Sequence, residues 1–226
     1  MQFQELPPGA SVLGEKIHAY KTLLESKRFI YLMGAVHGDE IEGAHVMHEL
    51  FEYLKKENRF TLPLIVIPIV NVDGFGKKTR VNHNGVDLNR NLPTEDWSGK
   101  FEEAKYNPGK EPLSEPENQF LQSLFLKYEP AFILSFHSWK PILNFNGDCK
   151  DIAEYLAKYN QYPLDGDIGY PTPGSLGTYG PEVLKCPVLT FECPPISSEL
   201  TLQKIWKENE QGLLNLMGSD LLRKKL

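Results

Sequence analysis

Four mostly apolar runs stand out along the chain, at residues 29–33 (FIYLM), 62–70 (LPLIVIPIV), 131–137 (AFILSFH) and 188–192 (VLTFE). Each has the length and the aliphatic and aromatic content of a strand buried on both faces. Pro63 and Pro68 limit the pairing of the second run. Between the first two runs, apolar residues recur every three or four positions at Ile41, Ala44, Met47, Leu50, Phe51 and Leu54, which predicts an amphipathic helix over 41–56. Ser114-Glu115-Pro116-Glu117 has the spacing of a capping box and predicts a helix to about residue 128. A short helix is expected over 151–159, and Ser197 or Ser198 is read as the cap of a final long helix to about residue 222. Strands that alternate with helices, with no repeat or linker, predict one α/β domain over residues 1–226: a mixed, largely parallel central sheet with helices on both faces.

Two stretches break this pattern. Residues 71–112 are rich in Gly, Asn, Asp and Pro and show little periodicity, and residues 166–180 form a second loop rich in Gly, Pro and Tyr. Loops as long as the first, inside a compact domain, are usually functional or disordered. The polar residues that end the apolar runs matter as much. His37, His137 and Glu192 fall at the carboxyl ends of three separate strand-like runs. In open α/β sheets that edge is where ligand sites gather.

Composition removes several function classes. A chain of 226 residues that is 41% hydrophobic supports a full core. The net charge is −6, and the one basic cluster is Arg223-Lys224-Lys225, so binding to a polyanion is a poor reading. No run reaches the roughly eighteen apolar residues of a transmembrane helix. The opening MQFQELPPGASVLGEK lacks the charged and apolar regions of a signal peptide. Three cysteines, Cys149, Cys186 and Cys193, argue against a disulfide framework and for a reducing, cytoplasmic compartment.

The chemistry starts from MGAVHGDEIEGAHVMHEL, residues 33–50. His37 and Glu40 lie three residues apart across a helix start, which brings both side chains to one side. Alone, such a pair is more often a capped helix start on the surface, and His137 alone reads as a core histidine. Together they make a His₂Glu set, which catalytic zinc uses while keeping a fourth position for water. In the long loop, Arg80, Asn89 and Arg90 offer binding capacity for an anion, since arginine matches a carboxylate through two parallel hydrogen bonds. The competing reading is a polar loop stitched by Asn and Asp turns. His45, His48 and Cys193 read as structural or surface residues.

The segments HGDE, KTR, GVDLNRN, SFH and TFE, in this order, resemble the zinc metallocarboxypeptidases. Within that family the similarity is closest to the murein peptide amidases, short bacterial members without a pro-segment. It extends through NHNGVDLNRN with the nearby Trp97, LSEPENQF, and GYPTPGSLGTY followed by TFECPPISS, from about residue 10 to 218. The resemblance implies a carboxypeptidase-like fold and one zinc per chain, held by His37, Glu40 and His137. It implies that Asp87 orients a ligand imidazole, that Arg80 polarises the scissile carbonyl, and that Asn89 and Arg90 grip the substrate's terminal carboxylate. Glu192 matches the catalytic glutamate. Tyr170 and Ser175 would line the substrate site, with Tyr179 as the alternative to Tyr170 for a mobile tyrosine. The implied reaction is hydrolysis of the γ-D-glutamyl–meso-diaminopimelate bond of muropeptides in cytoplasmic cell-wall recycling or degradation. The partner is then a small peptide, with neither nucleic acid nor membrane involved.

Three other readings compete: a zinc carboxypeptidase on other peptides, an amino-acid deacylase of the aspartoacylase type, and a binding protein on an inactive scaffold. The PTPGSLGTY and ECPPISS stretches resemble the amidases and not the deacylases, and no ligand or glutamate is missing. The segment WKPILNFNGDC, 139–149, differs from the family pattern and bears on the non-leaving side of the bond.

Overall fold

The computed structural model describes residues 1–167 and 169–226. Its strands are β1 (Phe3–Glu5), β2 (Gly9–Ala10), β3 (Lys16–Ile17), β4 (Tyr20–Thr22), β5 (Arg28–Gly34), β6 (Leu64–Ile67), β7 (Glu129–Ser138), β8 (Ile142–Asn146), β9 (Leu164–Asp165) and β10 (Val188–Cys193). Its α-helices are α1 (Ile41–Lys56), α2 (Val72–Lys77), α3 (Pro116–Lys127), α4 (Lys150–Asn160), α5 (Leu176–Tyr179), α6 (Leu202–Met217) and α7 (Asp220–Arg223). Eight strands form one sheet in the order β1-β4-β6-β5-β7-β10-β8-β9, and β2 pairs with β3 apart from it. The four central strands β6, β5, β7 and β10 run parallel. They are the four apolar runs of the sequence.

Alternation along these strands feeds two cores. In β5, Ile30 and Leu32 face one side while Tyr31 and Met33 face the other; in β7, Phe132, Leu134 and Phe136 oppose Ile133. The first side packs against Val46, Met47 and Leu50 of α1, Ile152 and Leu156 of α4, and Ile205 and Leu213 of α6. The second packs against Leu121, Leu124 and Phe125 of α3 and Leu176 and Tyr179 of α5. Both strand faces are therefore apolar, which is why the runs read as continuous and not alternating.

The edges were less legible. β4 (YKT) and β8 (ILNFN) are short and carry polar side chains, and both pair antiparallel at the margins of the parallel centre. The capping box at Ser114 does not form. Glu115 is the N-cap of α3 without a side-chain bond. The Ser114 hydroxyl donates to Glu115 Oε1 at 2.7 Å, and Glu117 instead accepts from Asn82 Nδ2 at 3.1 Å. The last long helix, α6, is capped by Thr201, which accepts from Lys204 N, and it ends at Met217 before Gly218, with the short α7 following. Ser197 accepts from Leu200 N in the turn before it. Among the described residues no helix is long and apolar enough to cross a membrane.

Candidate active site

Three strand ends and two loops converge on one cavity of about 510 Å³ at the carboxyl edge of the parallel strands. After β5 the chain turns through Ala35, which takes a left-handed φ of 48°. A non-glycine residue there is strained, and such strain concentrates beside functional sites. The turn delivers His37 and then Glu40, the residue that immediately precedes α1. β7 delivers His137, and β10 delivers Glu192 as its register partner.

His37, Glu40 and His137 are all buried, and one ligand atom of each lies within 4.8 Å of the others. His37 Nδ1 donates to Glu40 Oε1 at 2.7 Å, while its Nε2 donates to Asp87 Oδ1 at 3.0 Å. Burial works against a charged imidazole here, but the Glu40 and Asp87 carboxylates outweigh it and raise the His37 pKa to about 9. His137 Nδ1 donates to Glu40 Oε2 at 2.8 Å, and Ser135 Oγ donates to its Nε2 at 3.0 Å. The two Nδ1 atoms face each other at 3.2 Å. Burial opposes ionisation of Glu40, yet the two imidazoles hold its carboxyl well below the usual range.

This donor set fits a zinc ion. The two Nδ1 atoms and the Glu40 carboxylate oxygens lie within 2.7–3.2 Å of one another, a cluster of two imidazole nitrogens and a carboxylate. The outer nitrogens are engaged by Asp87 and by a serine hydroxyl, which accepts as readily as it donates. Such partners fix a ligand's tautomer and orientation.

Asp87 is fully buried and joins the ligands to the arginines. It accepts from Arg80 Nε at 3.1 Å and from Nη2 at 2.9 Å. Arg80 Nη1 lies 3.4 Å from Glu40 Oε1. Burial disfavours the charged forms, but this ionic cluster holds Asp87 low and Arg80 high. Asp87 also caps the turn Leu88–Arg90 by accepting from Asn89 N at 2.9 Å.

The Asn89 side-chain oxygen Oδ1 accepts from Leu176 N at 2.8 Å, which leaves its Nδ2 group for the cavity. Arg90 is 6% exposed. Its Nη1 donates to Asn89 O at 2.7 Å, and among the described residues it has no carboxylate within salt-bridge distance. Asp87 feels the Arg90 charge without pairing directly with it, and a buried guanidinium without a directly bonded anion is costly. The second loop is pressed onto this turn at Gly174, where φ is 72° and a Cβ would stand 2.1 Å from Arg90 O. Leu92 N donates to Gly174 O at 3.0 Å, and Gly174 N to Thr94 Oγ1 at 2.9 Å.

Glu192 Oε2 is buried without a hydrogen-bond partner. Burial and the nearby Glu40 push its pKa up to about 7 against the pull of His137, His37 and Arg80. Tyr170 lines the cavity, 40% exposed, with its ring edge-on to Trp139 at 6.1 Å. Tyr179, by contrast, is 2% exposed and packs in the core beside Phe125. Ser175 lines the cavity, but its hydroxyl caps α5 by accepting from Thr178 N. The structure thus gathers every residue singled out from the sequence except Tyr179.

The cavity also has walls that sequence reasoning missed, Tyr106, Glu42 and Thr190, while Trp139, Asn144 and Asn146 of its lining come from the segment 139–149. Thr190 was findable, since it lies two residues before Glu192 on the same strand face. Glu42 accepts from Ser138 Oγ at 2.7 Å and Ile196 N at 2.8 Å, tying α1 to β7 and to the segment after β10.

Residues 26–138, half of the chain, match the family described as the succinylglutamate desuccinylase/aspartoacylase catalytic domain. That span holds His37, Glu40, Arg80, Asp87, Asn89, Arg90 and His137 but neither the second loop nor Glu192. Murein peptide amidase A of Vibrio campbellii is 33% identical over 208 residues, covering 87% of this chain and 82% of the relative. The protein of the same name from Escherichia coli K12 is 31% identical over 212 residues, covering 87% and 84%. The crystal structure of a murein-tripeptide amidase from Escherichia coli O157 superposes with a TM-score of 0.78 at 28% identity, covering 96% of this chain and 92% of that one. Carboxypeptidase A from Helicoverpa armigera shares the fold, with a TM-score of 0.81 at 15% identity over 98% of this chain and 69% of that chain.

Proposed function

Because the chain belongs to the murein peptide amidases, and in residues 26–138 to the wider succinylglutamate desuccinylase/aspartoacylase family, we propose that it hydrolyses the γ-D-glutamyl–meso-diaminopimelate bond of a murein tripeptide. His37, Glu40 and His137 would hold one zinc ion. When bound, zinc supplies a Lewis acid and acidifies a water molecule. Glu192 Oε2 accepts a proton from the attacking water and delivers it to the leaving nitrogen as the C–N bond breaks. The products are a glutamyl carboxylate and the diaminopimelate amine. Arg80 aligns the scissile carbonyl and stabilises charge on its oxygen, a role typically worth about 3–4 kcal/mol. Asn89 Nδ2 and Arg90 hold the leaving group's carboxylate, which fixes the bond presented to Glu192. Tyr170 covers the cavity from the second loop. The cytoplasmic setting is part of this reading, in keeping with Cys149, Cys186 and Cys193 as free, buried thiols.

The observation that carries the proposal is Arg90, a buried cation lining the cavity that makes no salt bridge to a carboxylate among the described residues. A free carboxylate beside the cut bond supplies that partner. The test is incubation of zinc-reconstituted protein with L-Ala-γ-D-Glu-meso-diaminopimelate, with released amino acid followed by chromatography. Diaminopimelate should appear, while N-acetylaspartate and N-succinylglutamate remain intact. Cleavage of either acyl amino acid in preference to the tripeptide would assign the chain to the deacylases.

A further inference from the structure

Arg80 and Arg90 enter the cavity from opposite ends of one loop, yet both guanidinium carbons lie over the same ring. Their distances to the Tyr106 centroid are 5.4 and 5.5 Å. Such a ring attracts cations within about 6 Å through its negative face. Tyr106 ends the short turn Ala104–Tyr106, and the next residue stitches that turn to the arginine loop. Asp87 N donates to Asn107 O at 2.8 Å, and Asn107 Nδ2 donates to Gly85 O at 2.9 Å. The ring is therefore tethered to the backbone that carries both Asp87 and Arg90.

The two arginines need fixing for different reasons. Arg80 is held at Nε and Nη2 by Asp87, and its Nη1 lies 3.4 Å from Glu40 Oε1. Arg90 has only a backbone carbonyl. A carboxylate at position 106 would hold Arg90 more strongly, but it would neutralise that guanidinium and compete with the substrate's own carboxylate. An aliphatic residue would hold neither. An aromatic face orients a guanidinium plane while leaving its N–H groups and its charge available.

We infer that Tyr106 is a positioning residue, setting the spacing between the carboxylate-holding Arg90 and the carbonyl-facing Arg80. The inference rests on the proposed hydrolysis beside a free carboxylate. It makes the ring, and not the hydroxyl, the active feature.

The test uses zinc-reconstituted full chain carrying Tyr106→Phe, which keeps the ring, or Tyr106→Leu, which removes it. One readout is kcat and KM on the tripeptide and on its analogue with the carboxylate beside the cut bond amidated. The other is the dissociation constant of succinate, a dicarboxylate probe that requires no particular peptide to be the substrate. Tyr106→Leu should raise KM for the tripeptide and weaken succinate by about tenfold, with a smaller effect on the amide, while Tyr106→Phe stays within about twofold. Wild-type behaviour of Tyr106→Leu, or equal damage in both variants, overturns the inference. If wild-type protein leaves the tripeptide uncut, the proposed function fails, while the succinate arm still decides the role of Tyr106. If Tyr106→Leu loses its zinc or its native melting transition, pentafluorophenylalanine at position 106 replaces it. That residue keeps the ring shape and reverses its charge distribution, so succinate binding should weaken similarly, and unchanged binding overturns the inference.

Discussion

His137 on β7 and Glu192 on β10 are register partners on adjacent parallel strands. Their side chains therefore leave the same face of the sheet at its carboxyl edge, separated by the interstrand spacing of about 4.8 Å. Loop conformation does not set this distance. One of the two belongs to the proposed metal set, and the other presents Oε2 without a partner. Ligand and base are thus placed by the most rigid part of the molecule, while the arginines, Asn89 and Tyr170 approach from loops.

Glu192→Gln should leave zinc content unchanged and lower kcat by about 10²–10⁴-fold, the usual contribution of a positioned proton-transfer group. His137→Ala should instead lose zinc and activity together. Zinc measured by atomic absorption beside steady-state kinetics separates the two. Near-normal kcat in Glu192→Gln would place the base elsewhere, and full zinc occupancy in His137→Ala would remove that ligand from the set.

Zinc binding should depend on pH in a defined window. The His37 pKa rises from an ordinary 6.5 to about 9 in the metal-free fold, so the fold holds an extra proton between those values. The stability this proton contributes is complete below pH 6.5 and is lost as pH rises through about 9. Glu192, raised from 4.5 to about 7, acts in the same direction over a lower range. Zinc must displace the His37 proton, so its affinity should climb by up to about tenfold per pH unit across the His37 window. Calorimetry in buffers of different ionisation enthalpy should detect the released proton, and the zinc-induced rise in Tm should be larger near pH 9 than near 6.5. A pH-independent zinc shift would contradict this electrostatic account.

Gly43→Ala should damage the site from behind. A Cβ at Gly43 would lie 2.7–2.8 Å from the backbone N, C and O of His137, with no flexible side chain able to yield. Helix α1 must then move away from β7, separating Glu40 from His137. Overpacking of this kind costs about 1–3 kcal/mol, and zinc affinity should fall with Tm. Gly76→Ala is the control, since nothing lies within 4 Å of a Cβ there. Equal behaviour of the two variants would show that the α1–β7 contact does not set the site.

The parallel centre was legible because β5, β6, β7 and β10 are apolar on both faces and α1 keeps a regular three-to-four spacing. The candidate ligands were legible because they close those same strands. The edge strands were not, since three-residue segments such as Tyr20–Thr22 owe their structure to a neighbour's hydrogen bonds. Tyr106 was invisible for a related reason. It sits in a charged, aperiodic stretch, and its importance lies in two arginines that only the folded loop brings over it. Ser114 misled because its hydroxyl accepts from Asn91 Nδ2 and donates to Glu115 Oε1 instead of capping α3.

The central claim is that Arg90 waits for a free carboxylate beside the scissile bond, and a comparison of two peptides tests it most directly. In L-Ala-γ-D-Glu-meso-diaminopimelate that carboxylate is free; in the tetrapeptide an added D-Ala converts it to an amide. Leaving a buried, hydrogen-bonded charge without its partner typically costs about 2–5 kcal/mol, or roughly thirty- to several-thousand-fold. The kcat/KM ratio of tripeptide to tetrapeptide should therefore be at least about thirty for the wild-type protein, and Arg90→Ala should collapse it by slowing the tripeptide. Equal rates on the two peptides, or release of D-Ala from the tetrapeptide, would contradict the account.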